Sequence, residues 1–277
     1  MTVLLMSVLI AAGAFAAGLL GALTGLGGGI IVGPMLTLAF GIDLHYAVGA
    51  SLISVIATSS GAAAAYVREG YTNIRVGMLL EVATTLGALV GVYLAVLVSA
   101  NFIAVLFAIV LLSTAIQSLR PQAEHLTESS SPLARRLRLA STYPTPAGLR
   151  HYEVTGVPLG FCIMFLAGAL SALLGIGSGV VKVLAMDRIM RLPFKVSTTT
   201  SNFMIGVTGA ASAGVYLSRG YIEPTLAFPT TIGVLAGALV GARLLTLART
   251  RALRLLFTTV IVLLAIEMLY KGIKGAM

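Results

Sequence analysis

Charge is scarce in this chain: 10% of its 277 residues are Asp, Glu, Lys or Arg, 58% are hydrophobic, and the mean hydropathy is +1.03. A water-soluble domain carries about 25% charged residues, so that class is excluded and the chain reads as a polytopic membrane protein. Its single cysteine, Cys162, excludes an intrachain disulfide and a multi-cysteine metal site. Set in an apolar run, Cys162 reads as a small hydrophobe. Histidine is equally sparse, and His45, His125 and His151 are scattered. Gly175-Ile-Gly-Ser-Gly179 is not a G-x-S-x-G elbow, which would need glycine at positions 176 and 180. Gly25-Leu-Gly27 lacks the spacing of a dinucleotide loop, and no soluble βαβ unit is present to hold one. The expectation is a protein that is not an enzyme and uses no cofactor or metal.

Acidic residues are outnumbered, nine against 18 basic. Most arginines fall between apolar runs, so the positive-inside rule explains the excess better than nucleic-acid binding does. The longest polar stretch, 120–150, holds Arg120, Arg135, Arg136, Arg138 and Arg150 among Ser, Thr and Pro. It divides the chain into a first membrane repeat (1–119), a cytoplasmic linker (120–153) and a second membrane repeat (154–277). Ala14-Phe-Ala16 resembles a signal cleavage site, but no basic n-region precedes it, and cleavage there would remove most of the opening helix. The first apolar run is therefore expected to stay as a span.

Apolar runs cover 3–23, 45–67, 76–98, 102–119, 154–174, 194–217, 226–247 and 253–270. Most approach the roughly 20 residues that a helix needs to cross a hydrocarbon core of about 30 Å. Two shorter apolar pieces, 30–40 and 180–190, each follow a glycine cluster. They read as half-helices, re-entrant segments or short tilted spans. Because lipid cannot satisfy irregular backbone, any break there is expected to be enclosed by protein or by a water-filled cavity.

The chain contains itself twice. Residues 18–95 lie over 168–245 at a constant offset of 150 without a gap. The overlay matches Gly25 with Gly175, Gly27 with Gly177, Gly29 with Gly179, Ser51 with Ser201, Tyr66 with Tyr216, Gly70-Tyr71 with Gly220-Tyr221, and Gly87-Ala-Leu-Val-Gly91 with Gly237-Ala-Leu-Val-Gly241. An internally doubled membrane chain is a signature of secondary transporters, in which two related halves rock about a site between them.

Charge placement tests the topology. With four crossings per half, ten basic residues face the cytoplasm and seven face outward, a weak bias. With five, 14 face the cytoplasm and only Arg219, Lys271 and Lys274 remain outside, Lys182 being embedded. The odd number fits better. It also makes the halves inverted repeats, the arrangement that lets them exchange conformations. The expected fold is an all-α polytopic bundle of two homologous halves, with short or broken helices after the glycine clusters.

Those clusters have two readings. Gly21, Gly25, Gly29 and Gly33, spaced by four, form one stripe for close packing if the helix is continuous. Alternatively, three glycines in five residues unwind the helix and expose amides of Gly27, Gly28, Gly29, Gly177, Ser178 and Gly179, with a half-helix dipole directed at the gap, where a small anion would bind. Lys182 favours the second reading. An ammonium inside an apolar run is unfavourable by about 2.5 to 3.5 kcal/mol unless it faces a cavity, although it can also snorkel or pair structurally. Its repeat partner is Val32, so the charge breaks the symmetry. Ser51, Thr200, Ser201 and Asn202, near the starts of two long helices, are either caps or oxyanion donors. Glu81 lies well inside a span beside Thr84 and Thr85 and is a candidate proton relay, or an interfacial residue near Arg75. Glu267 reads as interfacial.

With G-L-G-G-G-I-I-V-G-P-M-L at 25–36, A-V-G-A-S-L at 47–52, the repeated G-Y with its downstream G-A-L-V-G, and a weaker second copy from Gly168, the chain resembles the TauE/SafE family of sulfite exporters and related anion transporters. The second copy departs from the first in reading G-I-G-S-G and in placing Leu184 where the first has Pro34. The resemblance implies a bacterial inner-membrane carrier that exports small sulfur-containing anions such as sulfite, sulfoacetate or thiosulfate by alternating access. Export could draw on the membrane potential alone, worth about 2.3 kcal/mol per charge per 100 mV, or be coupled to protons through Glu81. The expected partners are a small anion and the lipid bilayer, with no nucleic acid, and a homodimer stands open beside the monomer. A passive anion channel and a non-transporting scaffold are the alternatives.

Overall fold

The computed structural model describes residues 3–24, 28–68, 70–119, 129–145, 148–177, 179–245 and 250–275. Where water is excluded, backbone polar groups must be satisfied within the segment, and the sequence does this with helices. The first five are α1 (Val3–Thr24), α2 (Gly29–Phe40), α3 (Leu44–Arg68), α4 (Ile74–Leu97) and α5 (Ala100–Leu119). After a short α6 (Pro132–Arg136) and a hairpin of β1 (Ser141–Thr145) and β2 (Gly148–Tyr152), a second set follows. It comprises α7 (Val157–Leu174), α8 (Gly179–Leu184), α9 (Phe194–Ser218), α10 (Pro224–Leu245) and α11 (Thr250–Lys274), with a π turn at Ala185–Ile189 closing α8.

Among the described residues, five helices are long and apolar enough to span a membrane, over Leu4–Gly21, Ile74–Ala95, Ala100–Gln117, Val157–Leu174 and Pro224–Gly241. Leu4, Met78, Val82, Leu97, Phe228 and Leu239 stay exposed on their outer faces, as side chains against lipid should. The protein is thus an all-α, multi-pass membrane bundle. Helices α3 and α9 pack on each other, α3 also against α10 and α9 also against α4. This inner pair buries Ser51, Ser54, Thr200, Ser201, Thr208 and Ser212. Several of these hydroxyls tolerate burial by bonding back one turn, as Ser54 does to the Ala50 carbonyl (3.0 Å) and Ser212 to that of Thr208 (3.0 Å).

The offset of 150 reappears as reciprocal packing. Helix α1 lies on α10 and α4 lies on α7. A Cβ on Gly18 would fall 2.2 Å from the Val234 carbonyl oxygen, and one on Gly168 would fall 2.0 Å from that of Thr84. Likewise Gly87 would strike the Phe165 oxygen at 1.9 Å, and Gly237 the Phe15 oxygen at 2.0 Å. In each pair, adding 150 to one residue and subtracting it from the other turns one contact into its mate. That is how a two-fold interface uses one patch twice. The close-approach glycines therefore lie in G-A-L-V-G and at Gly18 and Gly168.

Turns obey the same relation. Gly41 ends α2 at φ 65°, and Arg191, its counterpart, adopts φ 56° after the π turn. In the second half a side chain thus occupies the left-handed region that glycine fills in the first.

The polar stretch between the halves is more than a tether. Its described part caps one end of the bundle: Leu139, Tyr143 and Tyr152 are buried in one cluster with Val76, Leu80, Met186 and Met190. Asn73, which caps α4 by accepting from the Val76 amide (3.1 Å), also donates to the Leu139 carbonyl (2.8 Å) and to the Tyr152 hydroxyl (2.7 Å). Arg75 donates to the Arg138 carbonyl at 3.1 Å. Burial pushes the Tyr152 hydroxyl from 10.0 up to about 12, against the lowering effect of its bonds to Asn73 and Ser141.

Candidate functional site

The second glycine cluster breaks the helix. Helix α7 stops at Leu174, Gly175 (φ 67°) turns left-handed with its amide on the Ser171 carbonyl, Gly177 (φ 68°) does the same, and α8 starts at Gly179. In the first half α1 and α2 are likewise separate, with Gly28 accepting from the Ile31 (3.1 Å) and Val32 (3.4 Å) amides. Gly25, Leu26, Gly27 and Ser178 lie outside the described residues. At about 1.5 Å per residue neither α2 nor α8 reaches across a bilayer. Gly29 through Pro34 are all buried, so α2 sits inside the protein rather than against lipid.

Ser51 ties the two breaks to each other. Its hydroxyl lies 2.9 Å from the Gly29 carbonyl and 2.8 Å from that of Gly175, while Ser201 donates to the Gly179 carbonyl at 3.2 Å. Both serines therefore direct their protons at backbone and hold the half-helices in place. A Cβ on Gly177 would meet both Ile205 and Val55, from α9 and α3. The two openings thus converge between the inner helices.

Three residues past Gly179, Lys182 is completely buried. Its Nζ donates to Thr208 Oγ1 at 2.6 Å, and Thr208 Oγ1 is 2.7 Å from Glu81 Oε1 and 3.3 Å from Thr84 Oγ1. Thr85 donates to the same carboxylate oxygen at 3.2 Å. The result is a cation–hydroxyl–carboxylate chain spanning α8, α9 and α4, closed to solvent. Desolvation makes either charge alone strongly unfavourable, and the pairing offsets it. Glu81 Oε2 is buried and meets no donor among the described residues.

A family model described as sulfite exporter TauE/SafE matches residues 9–268. The chain belongs to the sulfite exporter TauE/SafE family. Similar proteins include the "Probable membrane transporter protein YunE" of Bacillus subtilis, 26% identical over 93% of this chain and 95% of that one. The "Probable membrane transporter protein YdhB" of the same organism is 28% identical over 83% and 86%. A "Probable membrane transporter protein" of Xylella fastidiosa is 24% identical over 93% and 91%. No solved structure matches the chain significantly. This TauE/SafE protein is a membrane transporter.

Within it, the structure brings Gly28, Gly29, Ser51, Gly175, Gly177, Gly179 and Ser201 together, and joins Lys182 to Glu81 two helical turns farther along α9. Thr200 lies apart, its oxygen accepting the Asn73 amide at 3.0 Å. Asn202 is half-buried and makes no side-chain hydrogen bond among the described residues. Glu81 is buried inside the bundle. Sequence reasoning missed Thr208 and the role of Thr84. A signal for the pairing was present: Lys182 faces Val32 in the repeat and Glu81 faces Thr231, so the halves differ by two buried charges of opposite sign, and such charges pair. Among the described residues, no three His, Cys, Asp or Glu side chains gather as a metal site.

Proposed function

We propose that this transporter exports small sulfur-containing anions of the sulfite, sulfoacetate or thiosulfate type by alternating access, performs no catalysis, and holds its anion between the halves with Lys182 and the amides at the glycine breaks. The observation that carries the reading is Lys182 itself, a fully buried ammonium one turn beyond a broken helix. A planar or tetrahedral oxyanion suits that combination, because charge-assisted bonds from an ammonium and from helix-start amides are the stronger kind. Ser51 and Ser201 contribute indirectly, by fixing the carbonyls that flank those amides.

The reciprocal contacts between the halves support alternating access, since a pair of equivalent units can trade conformations about one site. Five helices in each half, with the charge placement of the loops, favour an inverted relation. Closure of Lys182 from solvent favours a carrier over an open pore.

Flux measured in proteoliposomes tests this. Saturable exchange of sulfite, sulfoacetate or thiosulfate is the expected result. Unsaturable conductive current would establish a channel instead, and no flux of any of the three would leave only the scaffold reading.

A further inference from the structure

Inside the membrane the two halves differ in charge in opposite senses: Lys182 stands where the first half has Val32, and Glu81 where the second has Thr231. The structure brings both exceptions to the hydroxyl of Thr208, itself matched by Thr58. The empty site is therefore neutral, one ammonium against one carboxylate. An anion that enters and takes Nζ would leave this closed interior with one net negative charge. Buried uncompensated charge is neutralised where a proton can be taken up. Glu81 Oε2, more than nine-tenths buried and without a donor, is the atom that can take it.

The groups around the carboxylate leave Lys182 as its charged partner. From α4 come Thr84 and Thr85, from α9 Thr208, and from α8 Lys182. Helix α7, packed along α4, carries no charged side chain, and its Cys162 is exposed. Arg75 donates to the cap and Lys195 lies over Tyr71. On the π turn Arg188 is exposed, and Asp187, five residues beyond Lys182, is half-buried and not without a partner, although its Oδ1 meets no hydrogen-bond donor among the described residues.

We infer that the anion and the Glu81 carboxylate compete for Lys182, so that each anion crosses together with one proton on Glu81. This rests on the transport reading above. At the entry side a proton from water forms an O–H bond on Glu81, Thr208 is released, and Nζ turns to the anion. At the exit side the anion leaves, the proton returns to water, and the Lys182–Thr208–Glu81 chain re-forms. Loaded with a monoanion, the site carries the same net charge as when empty, so a monoanion crosses electroneutrally and a dianion carries one net negative charge outward.

Proteoliposomes loaded in turn with thiosulfate, sulfoacetate and sulfite test this, with pH and membrane potential set independently. Thiosulfate is the decisive probe because its charge is constant around neutrality. Acidifying the compartment it leaves is expected to lower its apparent KM about tenfold per pH unit, as one-proton linkage requires. Glu81→Gln is expected to abolish that dependence and to retain anion exchange while losing net efflux, because its empty site keeps an uncompensated Lys182. Retained exchange shows that Glu81→Gln folds, whereas Lys182→Met/Glu81→Gln, which removes both of these charges, is expected to show neither exchange nor efflux while keeping its helical circular dichroism. Saturable flux that ignores pH and proceeds equally in Glu81→Gln overturns the coupling and leaves the transport reading standing. Absence of saturable flux for all three anions overturns both.

Discussion

The His45 ring stacks on Tyr221 with centroids 5.1 Å apart, and 150 positions on, Lys195 Nζ sits 5.7 Å above the ring of Tyr71. Each basic residue stands at the start of a long inner helix of its own half and covers the Gly-Tyr turn of the other. The same exchange recurs beside them: Thr199 donates to the Tyr71 carbonyl at 3.1 Å, and a Cβ on its counterpart Gly49 would lie 2.3 Å from the Tyr221 carbonyl oxygen. Under the alternating-access proposal these two equivalent contacts would serve as closures, one for each half.

Removing one closure should bias the carrier. Loss of a cation–π or stacking contact is worth about 0.5 to 1 kcal/mol, a shift of roughly two- to fivefold in a conformational equilibrium. In a Cys162→Ser background, Asn202→Cys labelled by an impermeant thiol reagent reads the change. Tyr71→Leu is expected to raise labelling from one side of the membrane and Tyr221→Leu from the other. Increases on the same side would contradict the pairing.

Glycine substitutions should sort by what their Cβ meets. Gly87→Ala places a methyl 1.9 Å from the Phe165 oxygen, so α4 and α7 must separate, at about 1 to 3 kcal/mol. Gly214→Ala, on α9 with nothing within 4 Å, is expected to be neutral or to stabilise by up to about 1 kcal/mol. Thermal unfolding in detergent distinguishes them, the first lowering Tm and the second not.

Arg191 at φ 56° holds a conformation that L-residues occupy at about 1 to 2 kcal/mol. Arg191→Gly should relieve it and raise Tm modestly, the gain reduced by the greater freedom of glycine in the unfolded chain. Gly41→Arg should do the opposite. A lower Tm for Arg191→Gly would mean that the arginine side chain, not the backbone, matters there.

The cap between the halves should loosen at both extremes of pH. Glu153 is held below the usual carboxylate range by the Ser130 hydroxyl and by His151 at 3.0 Å. Its contribution is present above the unfolded carboxyl pKa and disappears as pH falls through the folded value. Tyr152 behaves in the reverse sense: raised from 10.0 to about 12, it stabilises fully below pH 10 and less between the two values, because the unfolded chain ionises first. Protection of the β1–β2 hairpin against hydrogen exchange, taken relative to the intrinsic rate at each pH, should fall in both windows. In Tyr152→Phe the alkaline loss of protection should vanish while the acid one persists.

Periodic and local features were legible in the sequence. The constant offset marked two related halves, the apolar runs anticipated the long helices, and the second glycine cluster anticipated a break at Gly175–Gly179, since a left-handed turn at Gly175 needs only local chemistry. Pairings across the halves were not legible. Thr208 and Glu81 are 127 positions apart, and no local pattern shows which hydroxyl of α9 turns toward α4. Ser51 looked like a cap or an oxyanion donor because its spacing suits both, yet its proton goes to two carbonyls that only tertiary packing places beside it. The cap hairpin was hidden for a similar reason: Ser141–Thr145 is short and half-exposed, and what holds it is Asn73, from another part of the chain.

Calorimetric titration of thiosulfate, sulfoacetate and sulfite into purified Lys182→Met, alongside the natural protein, asks whether Lys182 holds the anion. Measurable binding of at least one anion by the natural protein is expected, with a loss of at least tenfold in affinity for it in the variant and the helical fold intact by circular dichroism. Binding by Lys182→Met within threefold of the natural protein would show that the anion rests elsewhere.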